Sequence, residues 1–172
     1  MLKGIGALCV VTAASFMGFG FAGSVRRQVR QLAAMIDALT FLKSEILYRK
    51  TPLPEAFPLT AAASQEPGTR AFFRACTHAM RADRTLSAMQ VFRMALEKTP
   101  ELCLPLAAQQ TLLTLGASLG EFDLEGQSRA LELALARLNS QLHRLEQGSA
   151  ARRRSYATIG VCAGLAVAVI LL

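Results

Sequence analysis

Two uncharged apolar segments, one at each end of the chain, limit what this sequence can fold into more than any other feature. Residues 4–25 carry no charged side chain. As an α-helix, a run of that length spans roughly 30 Å, which is about the thickness of the hydrocarbon core of a bilayer. Residues 155–172 are apolar apart from hydroxyl groups and are just long enough to span it as well. We therefore expect an N-terminal transmembrane helix in residues 1–25 and a C-terminal one in residues 155–172.

A cleaved signal peptide is the alternative for the first segment. Lys3 supplies a basic start, and Phe21-Ala22-Gly23 would be a poor cleavage site. The apolar run is long for a signal peptide, however, and Arg26 and Arg27 follow it at once, as in a stop-transfer anchor. We favour the anchor.

The net charge of +7 comes from residues that flank these two segments, namely Lys3, Arg26, Arg27, Arg30, Arg152, Arg153 and Arg154. Between residues 31 and 151 the basic and acidic residues balance. Basic residues beside membrane segments act as topology signals or contact anionic lipid. The charge pattern therefore argues against a nucleic-acid partner. By the positive-inside rule, it places residues 26–154 in the cytoplasm.

Between the two segments, apolar residues recur at steps of three and four, which is typical of amphipathic helices. We predict helices at about residues 26–49, 54–64 and 69–84, then from a cap at Thr85 or Ser87 to residue 98, at 105–119, and from 124 onward. Gln65-Glu66-Pro67-Gly68 is interpreted as a turn, and Pro58 falls inside the second helix. The predicted fold is all-α: an antiparallel bundle of about six helices, bracketed by N- and C-terminal transmembrane helices.

The last helix is the one around which we expect the bundle to form. Gly116 and Gly120 predict a tight corner before it, and Asp123 is placed to cap its first turn. Leucines then recur at steps of three, four and seven and predict a buried seam: Leu124, Leu131, Leu135, Leu138, Leu142 and Leu145.

Two motifs resemble those of a known family. The first is Glu45-Ile46-x-Tyr48-x-x-Thr51-Pro52-Leu53-Pro54-Glu55-Ala56, and the second is Leu115-Gly116-x-x-Leu119-Gly120-x-x-Asp123-x-x-x-Gln127. In their order and spacing, and in the apolar ends of the chain, the sequence resembles the stage III sporulation protein AB family. Where that family often has Trp, this chain has Phe92. The resemblance implies a membrane component of the endospore channel apparatus, similar to the platform proteins of type II secretion and type IV pilus systems.

The same resemblance implies the partners and the location. The partners would be a cytoplasmic secretion-type ATPase and other membrane proteins of the apparatus. The location would be the outer forespore membrane, with the bundle in the mother-cell cytoplasm. We expect no small-molecule substrate and no cofactor.

Residues that would carry catalysis or hold a metal are not arranged in any motif we recognise. His78 and His143 have no His or Cys at ligand spacing, and no nucleophile or nucleotide-binding motif is present. The four cysteines show no C-x-x-C pair, so we interpret them as buried thiols in a reducing compartment. We predict a protein that is not an enzyme. An enzyme that uses residues we have not recognised remains the opposing hypothesis.

Charged residues in the bundle are the candidates for partner binding. A basic stripe follows the third helix, at Arg70, Arg74, Arg81 and Arg84, and an acidic group spans the fifth, at Glu97, Glu101, Glu121, Asp123 and Glu125. Such a dipolar surface can steer and orient a partner. Simple solvated faces are the alternative, with Asp123 acting only as a helix cap. Within the last segment, Gly160 and Gly164 form a G-x-x-x-G that suits helix–helix contact in a membrane.

The function we predict is a non-enzymatic platform that docks membrane partners through its two anchors and the ATPase through its bundle. The alternative is a membrane-anchored assembly scaffold without ATPase contact.

Overall fold

A computed structural model of the chain describes the backbone of residues 2–119 and 124–171, and the side chains of residues 24–119 and 125–148. It contains six helices: α1 (Leu2–Leu47), α2 (Leu53–Ala63), α3 (Pro67–Ala82), α4 (Ala88–Lys98), α5 (Leu106–Ser118) and α6 (Leu124–Leu171). No strand occurs in this part of the chain. The predicted all-α class is therefore confirmed for these residues.

The chain divides into two compact units. One is Arg27–Leu142, and the other joins Met1–Arg26 with His143–Leu172. Over the residues that the structure describes, none of the helices combines the length and the apolar character needed to cross a bilayer. The two predicted transmembrane segments, together with Gly160 and Gly164, fall almost entirely outside the residues whose side chains are described.

Local sequence explains where most of these helices begin. Ser87 and Gln90 form a capping box at the start of α4, in which the Ser87 hydroxyl accepts a bond from the Gln90 N–H and the Gln90 side chain accepts one from the Ser87 N–H. Ser87, rather than Thr85, is therefore the cap. In α2, Pro54 occupies the first turn, where proline is tolerated because its missing N–H has no partner in a helix anyway.

The interpretation of residues 65–68 as a turn is wrong. Glu66 is the cap of α3, because its carboxylate accepts a hydrogen bond of 3.0 Å from the backbone N–H of Thr69. Pro67 and Gly68 are therefore the first residues of the helix. Proline and glycine signalled the boundary correctly, but a capped N-terminus uses the same residue types as a turn.

Four phenylalanines form the centre of the core where α2, α3 and α4 meet. Phe57, Phe72, Phe73 and Phe92 are all fully buried. The ring centroids of contacting pairs lie between 5.2 and 6.2 Å apart, in tilted or edge-to-face arrangements. These are distances at which aromatic pairs stabilise beyond the area that they bury. Phe92 therefore joins α4 to both neighbouring helices.

Gly116 is not part of a corner, contrary to the sequence interpretation. It lies inside α5, and among the described glycines none has a positive φ. A Cβ atom at Gly116 would lie 2.9 Å from the Met89 Cα and 3.0 Å from the Ala88 carbonyl oxygen. The glycine is therefore needed because the backbone of α5 touches the start of α4. Gly120 and Asp123 lie outside the described residues.

The predicted leucine seam of α6 is only partly correct. Leu131 and Leu138 are fully buried, but the residue between them on the buried face is Ala134, while Leu135 is half-buried. Leu142 and Leu145 are also half-buried, and the Leu124 side chain is not described. Steps of three and four trace more than one line along a helix, and tertiary packing decides which line is covered.

Candidate partner-binding surfaces

A groove runs along one face of α3. Its cavity of about 550 Å³ is lined by Pro67, Arg70, Ala71, Arg74, Ala75 and His78 of α3, and by Lys98, Thr99 and Glu101 of the α4 end and the following linker. The α3 residues recur at steps of three and four because such positions share one face of a helix. The opposite face of α3 carries the buried phenylalanines. This groove-lining face therefore has no covering helix among the described residues.

Arg70 has a structural role at one end of this groove. Its guanidinium donates hydrogen bonds of 3.0 and 2.9 Å to the carbonyl oxygen of Ser64, and a longer one to that of Gln65. Ser64 follows the last residue of α2. A cation at the C-terminus of a helix satisfies free carbonyl groups and interacts favourably with the helix dipole. Arg70 thus fastens α2 to α3 and keeps its side chain in place.

The remaining cations of the groove have no acidic partner. No ion pair within residues 24–119 and 125–148 involves Arg74 or Lys98, and His78 is exposed on the same face. Glu101 is the one carboxylate among the lining residues. Even with a neutral His78, the groove therefore carries a net positive charge.

Gln31 of α1 holds the linker at the end of the groove. This fully buried amide donates to the Glu101 carbonyl oxygen at 3.1 Å and to the Glu66 carboxylate at 3.3 Å. Its own oxygen accepts a bond of 2.7 Å from the backbone N–H of Cys103. Arg27 donates a further bond of 3.1 Å to the Glu101 carbonyl oxygen. Residues far apart in the sequence thus fix the position of Glu101.

A second, smaller cleft brings parts of both family motifs together. Its cavity of about 310 Å³ is lined by Ile46, Lys50, Thr51, Pro52, Leu53 and Gln127. Four of these six residues belong to the first motif, and Gln127 is the last residue of the second. Seventy-four residues separate Leu53 from Gln127 in the chain, so only the packing of α6 against the end of α1 brings the two together.

Glu45 shows why the first motif ends α1 where it does. Its carboxylate is almost completely buried. It accepts a hydrogen bond of 3.2 Å from the Thr51 hydroxyl and forms an ion pair of 3.0 Å with Arg49. The Thr51 N–H also donates to the Glu45 carbonyl oxygen. Lys50 takes the left-handed conformation, with φ of 54°. These bonds fold the chain back after α1 and leave Tyr48 81% exposed.

The other residues predicted to bind a partner are dispersed. Arg81 and Arg84 are exposed but do not line the groove, and Arg84 lies beyond the end of α3. Glu97 and Glu101 precede α5, while Glu125 follows it and pairs with Arg129 at 3.2 Å. The structure does not describe Glu121. The acids therefore belong to both ends of α5, and a partner-binding role for them stays a prediction.

The second motif is largely structural within its described part. Leu115 and Leu119 are buried, and Gly116 contacts α4 as described above. Sequence reasoning missed Gln31, Lys98 and the two alanines of the groove. The spacing of Ala71 and Ala75 beside Arg70 and Arg74 was visible in the sequence, but no local signal pointed to Lys98 or Gln31.

The described residues offer no group of three or more His, Cys, Asp and Glu side chains that could hold a metal ion. Burial raises the pKa of the Cys76 thiol well above its usual range, which makes that thiol unreactive. Asp83 accepts bonds from Thr85 that lower the pKa of its carboxyl group. These are structural roles.

Over the described residues, the fold and its surfaces define an all-α helical protein with a basic groove on α3. A family model described as Stage III sporulation protein AB matches residues 3–172, so the chain belongs to that family. Stage III sporulation protein AB of Bacillus subtilis (strain 168) is 28% identical over 173 residues, covering 100% of both chains. A solved structure of Stage III sporulation protein AB (SpoIIIAB) has a TM-score of 0.65 and 27% identity, covering 72% of this chain and 97% of that one. The resemblance found in the two motifs is thus confirmed.

Proposed function

We propose that this protein is a non-enzymatic membrane platform of a secretion-like channel apparatus needed for endospore formation. Its two ends anchor it in the membrane and contact membrane partners, and its bundle docks a cytoplasmic secretion-type ATPase. We place it in the outer forespore membrane with the bundle facing the mother-cell cytoplasm, a proposal that the family resemblance and the positive-inside rule support.

The observation that carries this proposal is the length of α1 and α6. These helices of 46 and 48 residues each continue past the bundle unit into the uncharged apolar ends of the sequence. A soluble helix rarely exceeds about 25 residues unless it forms a coiled coil or crosses a membrane. Arg26 and Arg27 at one junction, and Arg152 to Arg154 at the other, support a cytoplasmic side at the bundle.

Contact with membrane partners is assigned to the C-terminal segment. Gly160 and Gly164 lie one helical turn apart within α6. Small residues at this spacing let two helix backbones approach closely in a membrane. Replacing both by leucine should weaken co-purification with membrane partners, while membrane insertion is preserved because leucine is more apolar.

The topology is tested with a membrane-impermeant thiol reagent on the full-length chain. Cys76 is buried and Cys103 is half-buried, so we use Ala136→Cys, an exposed position of α6, as the reporter. The reporter should remain unlabelled in intact cells and become labelled after lysis. Labelling before lysis would place the bundle outside the cytoplasm and refute the docking of a cytoplasmic ATPase.

The docking itself is tested by adding the purified full-length chain to the secretion-type ATPase of the same organism's apparatus. Binding that changes ATP turnover supports the platform. Binding without a change in turnover favours the assembly scaffold, and no binding refutes the ATPase contact. Catalysis by the chain itself would support an enzyme instead.

A further inference from the structure

The α3 groove has three properties that together specify what it binds. It extends along about 16 Å of α3, its lining includes two alanines one turn apart, and Arg74 and Lys98 in its lining have no carboxylate partner among the described side chains. From these we propose that the groove binds an acidic amphipathic helix of a partner protein, with the apolar ridge of that helix on Ala71 and Ala75 and its carboxylates against Arg74 and Lys98. The inference rests on the proposed function only in taking the partner to be a cytoplasmic protein.

The dimensions favour a helix over a smaller ligand. The lining face runs from Pro67 to His78, which is twelve residues and about 16 Å along the axis of α3. A helix of three turns fits such a length, whereas a single phosphate or headgroup would occupy only one end of it. The cavity of about 550 Å³ is also shared between α3 and a second element, the end of α4 with its linker.

The floor of the groove suits a helix ridge. Ala71 and Ala75 lie one turn apart, and both are half-buried. Small side chains at positions i and i+4 leave a furrow into which the aliphatic ridge of another helix can pack. A polar or charged ligand would gain nothing from these two methyl groups.

The charges select a partner helix with carboxylates beside its ridge. Arg74 and Lys98 have no ion-pair partner among the described side chains, and Arg70 is already held by the Ser64 carbonyl group. Because the Arg70 side chain is already held in place, binding a partner helix in the groove costs little of the side-chain entropy of Arg70. A partner helix with Lys or Arg beside its ridge would be repelled by Arg74 and Lys98. The surface therefore selects among partners as well as attracting them.

The test uses the full-length chain in sporulating cells, with a diazirine-bearing lysine analogue at position 78, on the rim of the groove. The same analogue at position 136, which is exposed on α6, is the matched control. Cross-linked peptides are identified by mass spectrometry. We expect position 78, and not 136, to capture one helical segment with aliphatic residues at steps of three and four, flanked by Asp or Glu.

Two sets of variants then test the mechanism. Arg74→Glu combined with Lys98→Glu should reduce the captured product about tenfold, while Arg93→Glu combined with Arg137→Glu, exposed cations outside the groove, should leave it unchanged. Ala75→Leu should block capture without a change in charge. Ala107→Leu, at an exposed position of α5, is its control. Each variant must accumulate in the membrane at the level of its control, which separates lost binding from lost folding.

Three outcomes would overturn the inference. They are equal capture at positions 78 and 136, adducts only with phospholipid, or a captured helix whose cross-linking yield is unchanged in both sets of groove variants. The proposed function fails separately. If the captured acidic helix belongs to a protein other than the ATPase, the groove assignment stands, and the ATPase contact is refuted only if the ATPase also fails to bind the purified chain. If the ATPase binds the purified chain but position 78 captures no acidic helix, the function stands and the groove assignment is wrong.

Discussion

Adding a single methyl group at Gly116 should destabilise the bundle, although the same change usually stabilises a helix. The Cβ atom of Gly116→Ala would lie 2.9 Å from the Met89 Cα, 3.0 Å from the Ala88 carbonyl oxygen and 3.1 Å from the Met89 nitrogen. All three are backbone atoms, so no side chain can rotate away to make room. Either α5 must move from α4, or the start of α4 must shift.

Two opposing contributions decide the sign. Replacing glycine by alanine inside a helix stabilises it by about 1 kcal/mol. Overpacking a closely packed contact costs typically 1–3 kcal/mol, and contacts below 3.0 Å with backbone fall in the upper part of that range. We therefore expect a net loss of about 1–2 kcal/mol in the free energy of unfolding. That corresponds to a fall of about 4–8 °C in Tm for a unit of roughly 100 residues.

The assay is thermal and urea unfolding of a fragment of residues 26–150, which contains the whole Arg27–Leu142 unit. Gln110, exposed in the same helix, supplies the control, because comparing Gln110→Ala with Gln110→Gly measures the intrinsic alanine–glycine difference in α5. Gly116→Val should be worse than Gly116→Ala, since it adds two more methyl groups and little helix propensity.

One result would refute this reasoning. The Tm difference between Gln110→Ala and Gln110→Gly measures helix propensity alone. If Gly116→Ala raises Tm by that same difference, helix propensity accounts for the whole effect. The contact between α5 and α4 would then be loose, and the glycine would have no packing role.

Three further predictions follow from other contacts. Gln31→Leu should cost roughly 2–4 kcal/mol in urea unfolding, because it leaves the Cys103 N–H and other buried groups unpaired; a loss below about 0.5 kcal/mol would contradict the network. Leu138→Ala should cost roughly 2–5 kcal/mol, and Leu135→Ala clearly less, because only Leu138 is fully buried; equal losses would contradict the burial seen here. Lys43 lies 2.8 Å from the Glu132 carboxylate and lowers its pKa, so the pair stabilises the fold above the ordinary pKa of Glu132, and this stabilisation is lost as pH falls through the lowered value. Lys43→Met should raise the pKa of Glu132 in an NMR titration, and an unchanged pKa would exclude the pair.

The sequence predicted the helices well because helix formation is local. Apolar residues at steps of three and four, the Ser87–Gln90 capping box and the prolines after α1 act over a few neighbouring residues, so they can be read without knowing the fold. The family could also be identified from the order and spacing of two motifs. Two local predictions were wrong. Gly116 lies inside α5 rather than in a corner, and Glu66 caps α3, because the proline and glycine after it are compatible with both a turn and a capped helix start.

The candidate groove was only half visible in the sequence. The arginines of α3 are one or two turns apart, so their common face could be predicted. Lys98 belongs to another helix, and it reaches the same groove only because α3 packs against α4. The unpaired state of these cations likewise depends on where every carboxylate of the fold comes to lie.

By itself, the sequence determined which segments are helical and to which family the chain belongs. Only the tertiary structure decided that Ala134 rather than Leu135 completes the buried line of α6, and that Gly116 touches the backbone of α4. It alone brought Gln127 to the cleft beside Thr51 and tied Gln31 to Glu101, seventy residues away. The physical reason is that these contacts arise from the packing of one helix surface against another. Each depends on the shape of both surfaces at once, whereas a local sequence pattern describes only one of them.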